Sequence, residues 1–463
     1  MSETVLEAGT AGEIIERMRR VAAPGRQRLD ATTVRRLRDL TSQLAAAKPS
    51  AAAEHQRFLQ VRGRRLRLPE GELAARIGGK TILVTGGTGC IGSTLLAQLA
   101  QRRPRRIVSV SRGVTGCWPR LEGADYRHAD IRDGEVLTRI VRATRPDVIF
   151  HVAAQRDPGL AEVEVHRTIT TNVLGTRNVL DAAGKAGVPQ VVYASTGKAL
   201  RPYSAETYTA SKRACEWLMA HAAATTGLRA SATRFTHVVD NSIVYRRLLA
   251  WATPSSAEER HDGVIRLHDP DICFYVQSAL ESAQLLLVAC AGAVDGELLV
   301  HAITDLGLPV SLLDLAIGVL GSTGSTTPVY FSGHDAGYEK APFPGLYDPL
   351  TAGDVSPLLN AFEAASPAAA HSDMVDSARL AFAADRRLHK HLLALEDDCA
   401  RTYDPERLTG RLGELSWSLL DAGLHAAPRR ALERSAAQAR PHWQTMTGSH
   451  RRMLEAIDDL IAP

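Results

Sequence analysis

Tyr208-Thr209-Ala210-Ser211-Lys212 sets a phenol and an amine four residues apart, a spacing that on a helix puts both on one face. An ammonium beside a phenol favours the phenolate. Such a pair can exchange a proton with a substrate hydroxyl while a hydride moves to or from a nicotinamide. The same ammonium can hydrogen-bond the nicotinamide ribose. Ser195 and Thr196 close the run QVVYAST, at the strand end where an open α/β sheet holds its ligands. Either hydroxyl can orient the reacting oxygen, or only cap the strand. Upstream, Thr81–Thr85 runs into Gly86-Gly87-Thr88-Gly89-Cys90-Ile91-Gly92 and then into the helix-like STLLAQLA. Glycines at 86, 89 and 92 permit a tight turn, close approach of backbone to a pyrophosphate, and close helix–strand contact. The amides opening the helix face the phosphates, where the helix dipole favours negative charge. A strand before and a helix after supply the context that a glycine triplet alone lacks. The second strand ends Val110-Ser111-Arg112-Gly113, with no acid for a ribose 2′-hydroxyl. A hydroxyl and a guanidinium suit a 2′-phosphate, so NADP(H) is expected, with NAD the alternative. Asp130 in HADIRD follows the third strand, in reach of an adenine or simply on a surface loop.

Around these residues, 79–345 alternates short β-branched runs (TILVTGG, RRIVSVSR, DVIFHVAA, QVVYAST) with helical patterns such as TNVLGTRNVLDAAGKAG. That alternation requires crossovers, hence an α/β fold: a Rossmann-like, doubly wound parallel sheet with helices on both faces. Residues 1–78 read as a basic, helical N-terminal extension carrying 15 Lys/Arg against 9 Asp/Glu, with Pro24-Gly25 and Pro49-Ser50 as breaks. Residues 346–463 read as a helical C-terminal extension, with no strand-like run beyond about 370 and with Trp417 and Trp443 as core or interface anchors.

The whole chain has 463 residues and a net charge of +4 from 55 basic and 51 acidic side chains, which gives no reason to propose nucleic acid. The basic segment interleaves acids with its arginines and carries no aromatic platform. Six scattered cysteines form no CxxC or Cys/His ligand spacing, so neither a metal site nor a disulfide scaffold is expected, and a reducing cytoplasm fits. The most apolar stretch, 283–294, is shorter than the ~20 residues of a membrane helix, and the opening MSETVLEAGT is not a secretory signal. The expected setting is cytoplasmic, without membrane partners, and the helical flanks suit a homodimer.

In order along the chain, VTGGTGCIG, HADIRD, DVIFHVAA, TNVLGTRNVLDAA, VVYASTGKAL, YTASK and FYVQSALESAQLLL resemble the extended short-chain dehydrogenase/reductases. The branch they resemble is that of the polysaccharide-biosynthesis nucleotide-sugar 4,6-dehydratases and 5-epimerases. The resemblance implies an NAD(P)-binding catalytic domain over 79–345 with a substrate lobe mainly in 236–345. It implies Tyr208 and Lys212 as the redox pair, cofactor contacts from Asp130, Ile131, Ala153 and Ala154, and a nucleotide sugar as substrate.

Three departures matter. The branch reads Ser-Thr-Asp-Lys-Ala where this chain has Ser195-Thr196-Gly197-Lys198-Ala199. In the branch that Asp protonates the leaving hydroxyl and that Lys takes the sugar proton; Lys198 is retained, but Gly197 cannot act as an acid. Glu206 is the substitute donor to consider. Arg-Phe-Gly-Asn becomes Arg234-Phe235-Thr236-His237, and the arginine of Met-Thr-Arg-Phe-Phe is lost at Ile272-Cys273-Phe274-Tyr275, leaving His237, Arg246, Arg247 or Arg266 to meet a diphosphate. The basic loop of the branch is altered at His334–Lys340. The missing acid favours epimerisation or simple oxidation–reduction over dehydration. Two alternatives stand beside it: an NADP-dependent dehydrogenase or ketoreductase of a non-nucleotide metabolite, and a non-catalytic dinucleotide-binding scaffold.

Overall fold

The computed structural model describes residues 10–113, 118–253, 263–334 and 342–462. Its strands are β1 (Thr81–Thr85), β2 (Arg106–Ser111), β3 (Asp125–His128), β4 (Val148–His151), β5 (Gln190–Thr196), β6 (Arg229–Phe235), β7 (His237–Val238), β8 (Ile265–Leu267), β9 (Cys273–Phe274), β10 (Val276–Gln277), β11 (Leu298–Ile303), β12 (Val310–Ser311), β13 (Val329–Phe331) and β14 (Val375–Arg379). They fall into two compact units.

The larger unit takes residues 65–236, 279–306 and those from 341 onward. Its sheet has the order β14-β11-β6-β5-β4-β1-β2-β3, parallel throughout except for antiparallel β14 at one edge. β1 and β4 are wholly buried, as strands covered on both faces must be, and so read as unbroken apolar runs. β3 closes the other edge with Asp125-Tyr126-Arg127-His128, whose charges discourage further pairing. The order reverses between β1 and β4, which opens a crevice at the carboxyl ends of the strands.

The smaller unit joins residues up to 64 with 237–278 and 307–334. Helices α1 (Ala11–Val21), α2 (Ala31–Ala47) and α3 (Ala51–Gln60) bury Ile14, Met18, Leu37, Leu44 and Phe58 in one core with Leu248, Ile265, Leu313, Ile317 and Tyr330. α3 approaches so closely that a Cβ on Gly318 would lie 2.5 Å from the Ala51 carbonyl oxygen. The sequence draws one extension over 1–78; the structure divides it instead. Only the first part belongs to this core, while α4 (Glu70–Ile77) packs in the larger unit, where Arg102 meets Glu70 at 2.6 Å.

In the larger unit the crossovers are α5 (Cys90–Ala100), α6 (Gly134–Thr144), α7 (Pro158–Val163), α8 (Val165–Ile169), α9 (Gly175–Ala186) and α10 (Thr207–Thr226). A π turn over Thr170–Leu174 joins α8 to α9. Then come α11 (Ile243–Ala252) and α13 (Leu312–Thr323) of the smaller unit, and α12 (Ala279–Gly292), α14 (Pro349–Ala352), α15 (Ala361–Ala364), α16 (Arg386–Arg401), α17 (Pro405–Ala426), α18 (Arg429–Ala439) and α19 (Gly448–Ile461) of the larger.

The C-terminal stretch, read as wholly helical, contains β14. Val375-Asp376-Ser377-Ala378-Arg379 has weak strand propensity and forms because the β11 edge offers a ladder. Trp417 stacks on Tyr203 with ring centres 3.8 Å apart and lies under the Arg452 guanidinium at 3.9 Å, half-buried against the core of α17–α19. Among the described residues no helix is long and apolar enough to cross a membrane, and no group of three or more His, Cys, Asp or Glu side chains is placed to hold a metal ion.

Candidate active site

At the end of β1 the chain turns at Gly86, whose φ of +76° suits glycine. A Cβ on Gly86 would lie 2.8 Å from the Ala153 nitrogen, and one on Gly92 only 2.1 Å from the Gly86 carbonyl oxygen. These two glycines let α5 start against the ends of β1 and β4. Gly89 differs. It is the N-cap of α5, and a Cβ there would meet nothing nearer than 3.4 Å. Its missing side chain leaves the helix start bare of any side-chain cap, with first-turn amides that an α-helix cannot satisfy itself. Cys90 is buried behind the turn; Ile91 and Thr88 are partly exposed, and Thr88 Oγ1 donates to the Gly113 carbonyl at 3.1 Å.

Ser111 ends β2 partly exposed and Arg112 follows it fully exposed. Asp130 follows β3. Burial alone would raise its carboxyl, but Arg132, bonded at 2.7 and 3.0 Å, and the charge of Arg112 hold it below the usual range. Ile131 is buried against Gly175, and Ala153 makes a 3.3 Å hydrogen bond from its backbone N–H to Thr85 Oγ1, with Ala154 beside it. The ends of β1, β2 and β4 thus bring the sequence-predicted cofactor residues to one edge of the sheet.

The candidate pair Tyr208 and Lys212 lies on α10. Tyr208 is buried beside Thr196, whose hydroxyl favours loss of the phenol proton. The sequence left Ser195 and Thr196 equivalent; the structure separates them. Ser195 Oγ donates at 2.7 Å to Glu216, within a buried network of Arg213, Glu216, Arg234 and Glu363. Lys212 Nζ donates to the Ala194 carbonyl at 2.6 Å and sits 4.3 Å over the Tyr193 ring.

One expectation is corrected here. Tyr208 is not acidified by Lys212: burial pushes its phenol up to about 12, opposed by the Thr196 hydroxyl and the charge of Arg156. Burial also brings the Lys212 ammonium down to about 8. Desolvation decides both shifts, because both groups are buried.

Residues outside the sequence reading complete the support. Asn172, in the π turn, accepts from the Gln155 amide at 2.8 Å and donates to Gln155 O and to Ser211 Oγ, each at 3.1 Å. His151 bridges Thr85 and Thr176 and is kept neutral by burial, down to about 3. The only sequence signal for Asn172 was the motif TNVLGT, since a π turn has no simple composition.

Beyond Thr196 the site departs from the pattern it resembles. A Cβ at Gly197 would lie 2.7 Å from Leu358 Cδ2. Lys198 Nζ is paired with Glu206 at 2.9 Å, and Arg201 and Thr209 also bind that carboxylate. Burial would raise Glu206, but the charges of Lys198 and Arg201 prevail and hold it low, which removes it as the substitute proton donor. In the smaller unit, His237 is hydrogen-bonded to Ser242 and brought down to about 4 by burial, so it carries no charge at neutral pH. Arg266 is engaged with the carbonyls of Arg26 and Gln27, while Arg246 and Arg247 lie on α11. Of the altered loop 334–340, all but His334 lies outside the described residues.

Comparison with known proteins gives likenesses of both sequence and fold. "Probable polysaccharide biosynthesis protein EpsC" of Bacillus subtilis (strain 168) is 28% identical over 279 residues, 58% of this chain and 45% of that protein. The UDP-N-acetylglucosamine 4,6-dehydratase (inverting) of Campylobacter jejuni (serotype O:23/36, strain 81-176) is 33% identical over 185 residues, 37% of this chain and 54% of that one. The chain therefore spans about half the length of these relatives. The UDP-glucose 4-epimerase of Thermus thermophilus, solved with NAD, overlaps 56% of this chain and 88% of its own at 20% identity and a TM-score of 0.47. The family described as "Polysaccharide biosynthesis protein" matches residues 82–338, more than half the chain, and the protein belongs to that family.

Proposed function

We propose that the protein is a dinucleotide-dependent enzyme that oxidises a carbinol of a nucleotide sugar. The observation that carries this reading is the placing of buried Tyr208 beside Thr196, with Lys212 one helical turn on and its Nζ on the Ala194 carbonyl, in the same unit as a bare glycine turn. That turn fits a nicotinamide dinucleotide: the side-chain-free, uncapped start of α5 suits a pyrophosphate. Ser111 and Arg112 suit a ribose 2′-phosphate and favour NADP over NAD. Asp130 and Ile131 lie where an adenine would be held, Ala153 and Ala154 line the end of β4, and Lys212 holds the nicotinamide ribose. When bound, the dinucleotide supplies the hydride acceptor.

The chain's own residues handle the proton. Thr196 orients the substrate oxygen, and Tyr208 Oη, once its own proton has been released to solvent, takes the substrate's proton on oxidation and returns it on reduction. At a phenol sitting near 12, the resting state holds the phenolic proton, so Arg156 and Thr196 matter by favouring its release. The substrate class rests on the family and on the activity named for the Campylobacter relative. Among the described residues Cys215, Cys273, Cys290 and Cys399 form no disulfide, which suits a reducing cytoplasm.

The test is incubation of the pure protein with UDP-N-acetylglucosamine and UDP-glucose, each with NADP⁺ or NAD⁺, followed by mass, chromatographic retention and reduced-nicotinamide absorbance. A changed sugar without lasting absorbance change marks redox-neutral chemistry; a lasting change marks net oxidation. Tyr208→Phe should lower turnover by roughly 10²–10⁴-fold while leaving dinucleotide affinity within a few-fold. An unchanged rate in that variant, or no affinity for either dinucleotide, defeats the reading.

A further inference from the structure

The space beside Thr196 is filled from a part of the chain more than 150 residues away, and what fills it limits the chemistry. Leu358 is buried, and its Cδ2 occupies the place a side chain at 197 would need. Its main chain is held in place. Its carbonyl accepts from Arg234 Nη1 at 3.0 Å and its amide donates to Ser356 Oγ at 3.2 Å. Two residues on, Asn360 Nδ2 donates to the Leu200 carbonyl at 2.7 Å, and Glu363 is locked at 2.5 Å to the fully buried Arg234.

Eliminating water from the carbon next to an oxidised carbinol needs two groups: an acid that protonates the departing oxygen and a base that takes the proton of the acidified C–H. Among the described residues around Thr196 neither stands ready. Position 197 carries no side chain and faces a leucine. Glu206 is held ionised by Lys198 and Arg201 and so cannot donate. Lys198 is engaged as the partner of that carboxylate, its Nζ 2.9 Å from Glu206. His151 is neutral but spent on Thr85 and Thr176. Hydroxide leaving unprotonated beside an apolar plug is strongly disfavoured.

We infer that Leu358 is a specificity-determining plug, which confines the enzyme to carbinol oxidation and its reversal and prevents loss of water from the sugar. The inference rests on the proposed function for its substrate. In the step retained, the C–H bond at the carbinol breaks as a hydride taken by the oxidised dinucleotide, and the O–H proton goes to the phenolate form of Tyr208. Return of the hydride to the opposite face of the carbonyl carbon, with the proton returned to its oxygen, gives the epimer, and release after the first half gives the ketone and the reduced dinucleotide. The neighbouring hydroxyl is kept in either case.

Two measurements on the full chain test this. The first asks for the mass of every product from UDP-N-acetylglucosamine and UDP-glucose with NADP⁺ or NAD⁺. A product lighter by one water overturns the inference and leaves the proposed function standing, whereas absent dinucleotide binding fails the proposed function alone. The second needs no turnover: thermal unfolding of Gly197→Asp, Leu358→Ala and the double variant. Gly197→Asp alone should lose about 5 °C or more, or fail to fold, and Leu358→Ala should restore most of that loss in the double variant. A Gly197→Asp protein as stable as the wild type, or a loss that Leu358→Ala does not relieve, removes the plug.

Discussion

Two strand ends of one sheet, β1 and β5, were built by different means. The β1 end is local. Gly86 and Gly92 are needed because the backbone at Ala153 and at Gly86 itself lies within 3 Å of where their side chains would begin. The β5 end is assembled from afar. Beside its Thr196, Tyr208 and Lys212 keep the spacing expected of a redox pair, but the position after Thr196 is shaped by Leu358, and the helix that bears Tyr208 is fixed through Glu216 to Arg234 and Glu363. The difference teaches that cofactor binding and chemical outcome can be set independently: a dinucleotide turn can persist while the residues deciding the fate of an oxidised sugar are replaced.

The comparison breaks first at Gly92. Gly92→Ala places a Cβ against the Gly86 carbonyl, where only backbone could yield, so a loss above about 3 kcal/mol or outright misfolding is expected in urea titration. Gly89→Ala, with nothing nearer than 3.4 Å and an ordinary φ of −86°, should stay within about 1 kcal/mol. Equal losses in the two would mean that α5 does not pack as described.

The β5 end is probed by Glu363→Gln. This change keeps the shape of the side chain but leaves Arg213 and Arg234 facing one buried carboxylate instead of two. A destabilisation of about 3 kcal/mol is expected, since an uncompensated buried charge is the dominant cost. A variant as stable as the wild type would show that the C-terminal segment is not anchored through this network, and the plug would lose its support.

These two ends also explain how much was legible in the sequence. The glycine turn could be read because every contact that demands a glycine lies in the same βαβ unit or at the next strand end. The parallel sheet could be read from its buried, unbroken apolar strands. The departure at Gly197 was visible as a letter, but not its cause, since nothing in 346–463 marks Leu358 as a neighbour of residue 197. β14 was missed because Asp376, Ser377 and Arg379 carry no strand signal and pair only because β11 had an open edge. Tyr208 was misjudged electrostatically: spacing shows that Lys212 is close, whereas burial, which spacing cannot show, decides the sign of the shift.

That sign yields the smallest effect, and it can be measured without substrate. Lys212 titrates near 8 in the fold against an ordinary 10.5 in an unfolded chain. Between those values the unfolded chain holds a proton that the fold has released, so stability rises with pH across the window, by at most about 1.4 kcal/mol per unit. Below pH 8 both states are protonated and the penalty of burying the charge is constant. Tyr208 acts oppositely: its phenol, raised from 10 to about 12, stays protonated in the fold after the unfolded chain has lost the proton, so stability falls from pH 10 to 12. Cys290, raised from 9 to about 12, adds a fall that begins at pH 9. The clean interval is therefore pH 8–9, and the clean quantity is the difference between wild type and Lys212→Met, in which the Tyr208 and Cys290 contributions largely cancel. Wild-type stability should climb relative to Lys212→Met as pH rises through this interval. A flat difference would mean that the amine keeps its ordinary proton affinity.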